Sequence, residues 1–139
     1  GIKNEFVICA VGRLEKVKNF PLLIRAIKDL DIKLTVDKGD RGWKGNVGVV
    51  TTILEDADMD YENGIAIVCG PPVMMKFSTK KLIELGFKAE NIYLSMEKNM
   101  SCGIGKCGNR RLGMYYVWKD GPVFSFGKIK KFVIYLVLC

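Results

Sequence analysis

The stretch Gly64-Ile-Ala-Ile-Val-Cys-Gly-Pro-Pro-Val-Met-Met-Lys-Phe77 decides the fold of this chain. Residues 64–69 form an uninterrupted apolar run, which is typical of a strand buried on both faces of a parallel sheet. The tripeptide 70–72 closes that strand, and the pattern over residues 73–85 predicts a helix. A buried strand, a short turn and a helix together make half of a βαβ unit.

The same patterns recur on both sides of this stretch. We predict further strands over residues 6–11, 32–36 and 91–96, and further helices over residues 20–30 and 47–57. Strands that alternate with helices at this spacing indicate a parallel sheet with right-handed connections and helices on both faces. The fold class is therefore predicted to be α/β.

Composition indicates one folded domain with an uneven charge. The 139 residues are 49% hydrophobic and 27% charged, and five are cysteines, values that fit a globular protein without a disulfide framework. The net charge of +7 lies after residue 97, where eight Lys or Arg face one Asp. Lys and Glu are plentiful while His and Gln are absent, as in hyperthermophile proteins. No leader or membrane-spanning run is visible, so we expect a cytoplasmic protein without a membrane partner.

The segment Met100-Ser-Cys-Gly-Ile-Gly-Lys-Cys-Gly-Asn-Arg-Arg111 contains half of a metal-ligand set. Cys102 and Cys107 have the spacing of a plant-type [2Fe–2S] loop, which requires two more cysteines. Arg110 stands where the third would be, and no cysteine follows before Cys139. Because the chain has no histidine, neither a Rieske-type cluster nor an ordinary zinc site is completed nearby. Cys102 and Cys107 could therefore form a disulfide or remain free thiols, and the sequence leaves both alternatives open.

Three loops follow predicted strands, at the edge where open parallel sheets bind ligands. They are Gly12-Arg13, Asp37 to Gly45, and Gly70-Pro71-Pro72. Glycine permits close approach of backbone to a ligand, helix N-termini offer N–H groups to anions, and arginine suits phosphate. The same glycines and prolines also form turns, so a purely turn-forming role stays open at each loop.

Several segments, taken in order, resemble one family. They are Thr35-Val-Asp-Lys-Gly39, Trp43-Lys-Gly-Asn-Val-Gly48, Val68-Cys-Gly-Pro-Pro-Val-Met-Met-Lys-Phe77, Asn91-Ile-Tyr-Leu-Ser-Met-Glu97, Met100-Ser-Cys-Gly-Ile-Gly-Lys-Cys-Gly108 and Lys119-Asp-Gly-Pro-Val-Phe124. Between about Ile32 and Ile129 the chain resembles the NAD(P)-binding and iron–sulfur half of electron-transfer subunits in the ferredoxin-reductase superfamily. Examples are hydrogenase gamma subunits, the corresponding subunit of anaerobic sulfite reductase and, more distantly, the electron-transfer subunit of dihydroorotate dehydrogenase.

This resemblance implies a Rossmann-like parallel sheet with flanking helices, of the ferredoxin-reductase NAD-binding type. It also implies that NAD(P)H passes hydride to FAD and that electrons leave singly through a [2Fe–2S] cluster to a partner subunit. The implied cofactor-binding residues are Gly12, Arg13, Asp37, Gly39, Trp43, Gly45, Cys69, Gly70, Pro71, Pro72 and Met74. Cys102 and Cys107 are the implied remnant metal ligands.

The chain departs from the family in three places. No flavin-binding barrel and no glycine-rich opening turn precede Phe6, so we expect FAD to come from an upstream domain of a longer protein. Arg110 and Trp118 stand where the family has its third and fourth cluster cysteines. We therefore predict a partial NAD(P)-binding domain over residues 1–97, a cysteine-loop appendage over 98–131 and an apolar tail over 132–139.

The predicted function is that of an electron-transfer subunit whose cluster site is incomplete. The alternative is a non-catalytic scaffold or docking subunit of a redox complex, motivated by the missing ligands and the basic C-terminal region. Other subunits of such a complex are the expected partners, and the apolar tail predicts packing on the domain or a homodimer contact. Tyr115, Tyr116 and Trp118 offer possible stacking residues, but we expect them in the core of the appendage and expect no nucleic-acid partner.

Overall fold

The computed structural model describes residues 9–10, 22, 25–26, 33–55, 57, 59–96 and 111–137. The strands are β1 (Cys9–Ala10), β2 (Thr35–Val36), β3 (Asn46–Val47), β4 (Ala66–Cys69), β5 (Ile92–Ser95), β6 (Arg111–Leu112), β7 (Tyr115–Tyr116) and β8 (Val123–Ser125). The helices are α1 (Val50–Glu55), α2 (Pro72–Glu84), α3 (Val117–Asp120) and α4 (Phe126–Val137), with a 3-10 turn at Ala89–Asn91.

The main sheet has the strand order β1-β4-β5-β8. Strands β1, β4 and β5 are parallel, which confirms the predicted α/β class. Strand β8 runs antiparallel to β5, with Leu94 opposite Phe124, and the Met96 N–H extends this contact by donating to the Pro122 carbonyl at 3.0 Å. The chain thus returns along β5 and covers an edge that would otherwise expose unpaired backbone groups.

The core lies between one face of this sheet and the helices α2 and α4. Val68, Leu94 and Phe124 stand in register across three strands and are buried. Helix α4 places Ile129 and Val133 in the same core. Burial of each such side chain stabilises the folded state by about 1.5–3 kcal/mol. The strands β4, β5 and β8 and both helices therefore share one hydrophobic core.

Residues 123–137 contact the main sheet and its helices, because β8 pairs with β5 and α4 packs on α2. The division of the chain after residues 97 and 131 stays a prediction. Strand β4 was predicted to be buried on both faces, but Ile67 on this strand is 59% exposed. Of the helix predicted over 20–30, residues 22, 25 and 26 are described, and all are helical.

A second, two-stranded parallel sheet pairs β2 with β3. The helix predicted to begin at residue 47 begins instead at Val50, because Asn46–Val47 pairs with β2. Gly48 then turns the chain with φ 140, and its N–H donates to the Val36 carbonyl at 2.8 Å. Positive φ at this point suits glycine and ends the strand before the helix begins.

Strands β6 and β7 form a hairpin on the side of α4. Gly113 occupies its turn with φ 59, and a Cβ there would overlap the Phe132 ring. The Tyr115 ring lies 5.8 Å from that of Phe124 and 6.2 Å from that of Phe132. The hairpin is therefore attached through aromatic contacts. Among the helices of the described residues, none has the length and apolar character needed to cross a bilayer.

Candidate functional site

Strand β4 passes into helix α2 through a two-residue junction. Pro72 is the first helical residue, where the missing N–H and fixed φ of proline suit a helix start. The first intrahelical bond runs from the Met75 N–H to the Pro71 carbonyl at 3.0 Å. The N–H groups of Val73 and Met74 are thus the free donors of the first turn. No acidic residue lies in that turn, so the positive end of a 13-residue helix dipole is uncompensated.

The carboxyl ends of three parallel strands meet beside this junction. Ala10 pairs with Cys69, Cys69 pairs with Ser95, and Ser95 pairs with Val123 of the antiparallel strand. Cys69 is an exposed free thiol. Ser95 is half-buried and was not among the predicted site residues. The predicted strand ran to Met96, and only the register of β5 against β4 places Ser95 beside Cys69.

Some of the residues predicted at this junction are exposed, and others pack against the core. Pro71 and Pro72 are exposed and form a stiff rim. Met74 is half-buried, packs against the core and accepts a hydrogen bond at its Sδ from the Ser78 hydroxyl at 3.3 Å. The structure thus places Cys69, Gly70, Pro71, Pro72 and Met74 together, and the Met74 side chain packs against the core.

The loop between β2 and β3 is organised around Trp43. The indole N–H donates to the Asn46 carbonyl at 2.9 Å. A Cβ on Gly39 would lie 3.1 Å from Trp43 Cδ1, and one on Gly45 would lie 2.6 Å from Cζ2. The indole therefore packs directly over both glycines. Asp37 is exposed at the start of this loop.

Packing within the loop is thus sufficient to explain the presence of Gly39, Trp43 and Gly45. It belongs to the β2–β3 sheet, whereas the β4–α2 junction belongs to the main sheet. The structure brings the four loop residues together, but in a different sheet from the junction. Gly12, Arg13, Cys102 and Cys107 lie outside the described residues.

Among the residues that the structure describes, Lys81 and Asp60 have shifted pKa values, and neither lies at the junction. A hydrogen bond to Glu55 raises the pKa of Lys81, which is in the last turn of α2. Hydrogen bonds from the backbone and side chain of Asn63 lower the pKa of Asp60, before β4. Anion binding at the junction would therefore rest on backbone N–H groups and the helix dipole. Among the described residues, no three His, Cys, Asp or Glu side chains are grouped to hold a metal.

A parallel sheet with a Gly-Pro-Pro junction at its carboxyl edge defines a nucleotide-binding α/β domain of the ferredoxin-reductase type. Residues 19–80 match the family described as the oxidoreductase NAD-binding domain. The fold is similar to that of a solved NADH-dependent reduced ferredoxin–NADP oxidoreductase, with a TM-score of 0.56 and 25% identity. That similarity covers 91% of this chain and 42% of the solved chain.

Curated proteins are also similar to this chain in sequence. Sulfhydrogenase 2 subunit gamma of Pyrococcus furiosus is 41% identical over 93 residues, covering 63% of this chain and 32% of that protein. The probable dihydroorotate dehydrogenase B (NAD(+)) electron transfer subunit of the same organism is 38% identical over 95 residues, covering 68% and 34%. Its counterpart from Clostridium perfringens is 37% identical over 105 residues, covering 68% and 36%.

These matches confirm the predicted resemblance to ferredoxin-reductase-type electron-transfer subunits. The chain spans about a third of the length of these curated relatives, and each of them is named as a subunit. The Pyrococcus matches also fit the thermophile-like composition.

Proposed function

We propose that the chain is the NAD(P)H-binding portion of an electron-transfer subunit in a flavin-dependent oxidoreductase. The observation that carries this proposal is the β4–α2 junction. Free N–H groups at an uncompensated helix N-terminus adjoin the meeting edge of three parallel strands, inside the segment that matches the NAD-binding family. Such an edge binds dinucleotides in open α/β sheets.

The residues of the junction fit a pyridine nucleotide. The Val73 and Met74 N–H groups would bind its anionic part. Cys69 and Ser95 would border the planar part, where the exposed proline rim restricts access of water. Asp37, Gly39, Trp43 and Gly45 are proposed to shape a neighbouring loop, and Gly12 and Arg13 to supply a further turn. The nucleotide supplies hydride, and FAD from another part of the protein would accept it.

The residues after Met96 do not fit a [2Fe–2S] cluster. These residues include Cys102, Cys107 and the distant Cys139, fewer than the four thiolates required, and the chain has no histidine to replace a missing one. Trp118, at the fourth ligand position implied by the resemblance, lies in α3 beside buried Val117. We therefore propose that electrons do not leave through a cluster bound by this chain.

The test of this function is anaerobic reduction of flavin in the protein that carries the chain together with its flavin domain. Addition of NADH or NADPH is expected to bleach the visible absorption of oxidised FAD, and one nucleotide is expected to raise the melting temperature. Bound flavin that neither nucleotide reduces would contradict the proposal and favour the scaffold or docking subunit. The missing cluster ligands are the observation behind that second candidate.

We also propose that residues 132–139 contribute to a homodimer contact when no partner subunit is bound. Val133 is buried within the chain, whereas Phe132 is partly exposed. Helix α4 therefore packs in the core with one side and exposes an apolar side chain to solvent with another. A concentration-dependent dimer that Phe132→Ser converts to monomer would support this contact. A monomer at all concentrations would contradict it.

A further inference from the structure

Helix α4 carries three exposed lysines, of which Lys128 and Lys131 share one side with Phe132 and Lys130 lies on the opposite flank. Lys128, Lys130 and Lys131 are exposed, whereas Ile129 and Val133 are almost completely buried. Lys128 and Lys131 are three residues apart and are therefore neighbours on the outer side of the helix. Within the described part of the chain, none of the three forms an ion pair or hydrogen bond.

An apolar patch adjoins these lysines. The hairpin turn at Gly113 lies against the Phe132 ring, and Met114 at the tip of the turn is 67% exposed. Methionine and aromatic side chains surrounded by charges are a composition enriched at protein interfaces. We name the set Met114, Lys128, Lys131 and Phe132 the α4 face.

The acidic side chains that the structure describes near the α4 face do not neutralise it. Asp120 is engaged within its own turn, where its Oδ2 accepts a hydrogen bond from the Tyr116 N–H at 2.7 Å. The Glu90 carboxylate lies beside Gly127 in the first turn of α4 but forms no ion pair with the lysines in the described structure. The first 97 residues of the chain are neutral overall, so its positive charge is concentrated toward this end.

The aromatic side chains near the α4 face are not arranged for nucleic acid. Tyr115 is packed between Phe124 and Phe132, and the Arg111 guanidinium lies over the Tyr116 ring at 5.8 Å. Their rings are therefore engaged within the chain, whereas single-strand binding needs rings that are open for stacking. An apolar centre with a lysine rim instead fits a protein surface.

We propose that the α4 face docks an acidic surface on a partner subunit. The lysines steer the encounter and set its orientation, and Met114 and Phe132 supply the buried apolar centre. The inference rests on the proposed function only in naming the partner a subunit of the same redox complex. The surface is separate from the β4–α2 junction, so nucleotide binding and docking are independent properties.

The first test uses a labelled oligoglutamate peptide as the probe and the full chain. Binding is expected to weaken steeply with salt, and Lys128→Glu/Lys131→Glu is expected to weaken it about tenfold or more. The matched control is Lys80→Glu/Lys88→Glu, which reverses two exposed lysines elsewhere and is expected to change binding by less than about twofold. Lys128→Gln/Lys131→Gln provides a milder variant, expected to show an intermediate loss.

Equal losses in both charge-reversal pairs would overturn the proposal. So would single-stranded DNA of equal charge that binds more tightly than the peptide through the same lysines, since the face would then be a nucleic-acid surface. In the intact complex, carbodiimide is expected to couple Lys128 or Lys131 to a partner carboxylate; coupling confined to other lysines would refute docking here. Flavin that NADH fails to reduce, with these couplings present, would reject the proposed function and leave the docking surface standing.

Discussion

At the scale of single residues, packing of Trp43 explains why its loop contains Gly39 and Gly45. Its indole packs on Gly39 and Gly45 and donates to the Asn46 carbonyl. The glycines flanking this tryptophan were predicted as cofactor-binding residues from the family pattern. Their described contacts give them a packing role, because a side chain at either position would meet the ring, and their cofactor-binding role stays a prediction.

Gly45→Ala is expected to lower the free energy of unfolding by about 1–3 kcal/mol, since the new Cβ would lie 2.6 Å from a rigid ring carbon. Gly42→Ala is the matched control. Its Cβ would meet Asp40 Oδ1 at 3.5 Å, an ordinary contact, so the change is expected to be neutral or stabilising by up to about 1 kcal/mol. Urea unfolding measures both, and equal losses would contradict the packing role.

Asp60 ties stability to pH through the turn that precedes β4. Its carboxylate accepts hydrogen bonds from the Glu62 and Asn63 N–H groups at 3.1 and 3.0 Å, and those from Asn63 lower its pKa below the ordinary 3.8. A lowered folded pKa means that this contribution is fully present above the unfolded value and is lost as pH falls through the folded one.

Asp60→Asn is therefore expected to remove part of the fall in melting temperature below about pH 4. The control Glu62→Gln removes a negative charge from the same turn while leaving those two acceptor contacts intact. It is expected to preserve more of the acid dependence. Identical pH profiles for Asp60→Asn and the unmodified protein would show that the turn carries no such linkage.

At the scale of elements, the hairpin β6–β7 and helix α4 form one unit through Gly113 and Phe132. Gly113→Ala is expected to cost more than the about 1–2 kcal/mol of a left-handed alanine, because the methyl also overlaps the ring. Phe132→Ala removes that ring, so the double variant should cost less than the sum of the single ones. Denaturant unfolding of the four proteins measures this coupling, and additive costs would contradict the contact.

The aromatic contacts also predict that this unit folds without metal. Anaerobically purified protein is expected to contain far fewer than the about two irons of a [2Fe–2S] cluster. Its melting temperature is expected to be unchanged by a strong chelator, because Leu112, Val117 and Phe124 already supply a buried apolar core. About two irons with matching sulfide per chain would contradict the incomplete cluster site.

At the scale of the whole molecule, the sequence predicted individual strands and helices better than it predicted how the strands pair. The strand–helix unit around residues 64–85 was predicted to within two residues at each end, because the apolar run, the Gly-Pro-Pro turn and Gly86 mark its bounds directly. The antiparallel pairing of β8 was not predicted. Three residues of strand carry no directional signal, and their pairing with β5 depends on the hairpin that returns the chain.

The candidate site was readable to a similar extent. The β4–α2 junction follows from a strand that ends in Gly-Pro-Pro, a pattern with a direct physical meaning for backbone and helix start. Ser95 required the register of β5 against β4, which local pattern does not carry. The basic charge was visible in the sequence, but its concentration with Met114 and Phe132 on one face required the packing of the hairpin on α4.

The most direct test of the nucleotide site is calorimetric titration of the chain with NADH and NADPH, comparing Val73→Asp with Val73→Asn. Val73 is 66% exposed in the first turn of α2, where Asp favours the helix by about 0.3–1 kcal/mol but repels an anionic ligand. We predict that Val73→Asp weakens binding about tenfold, equivalent to about 1.4 kcal/mol, while Val73→Asn binds like the unmodified chain. Equal affinity in both variants, or no saturable binding of either nucleotide to the unmodified chain, would contradict the site.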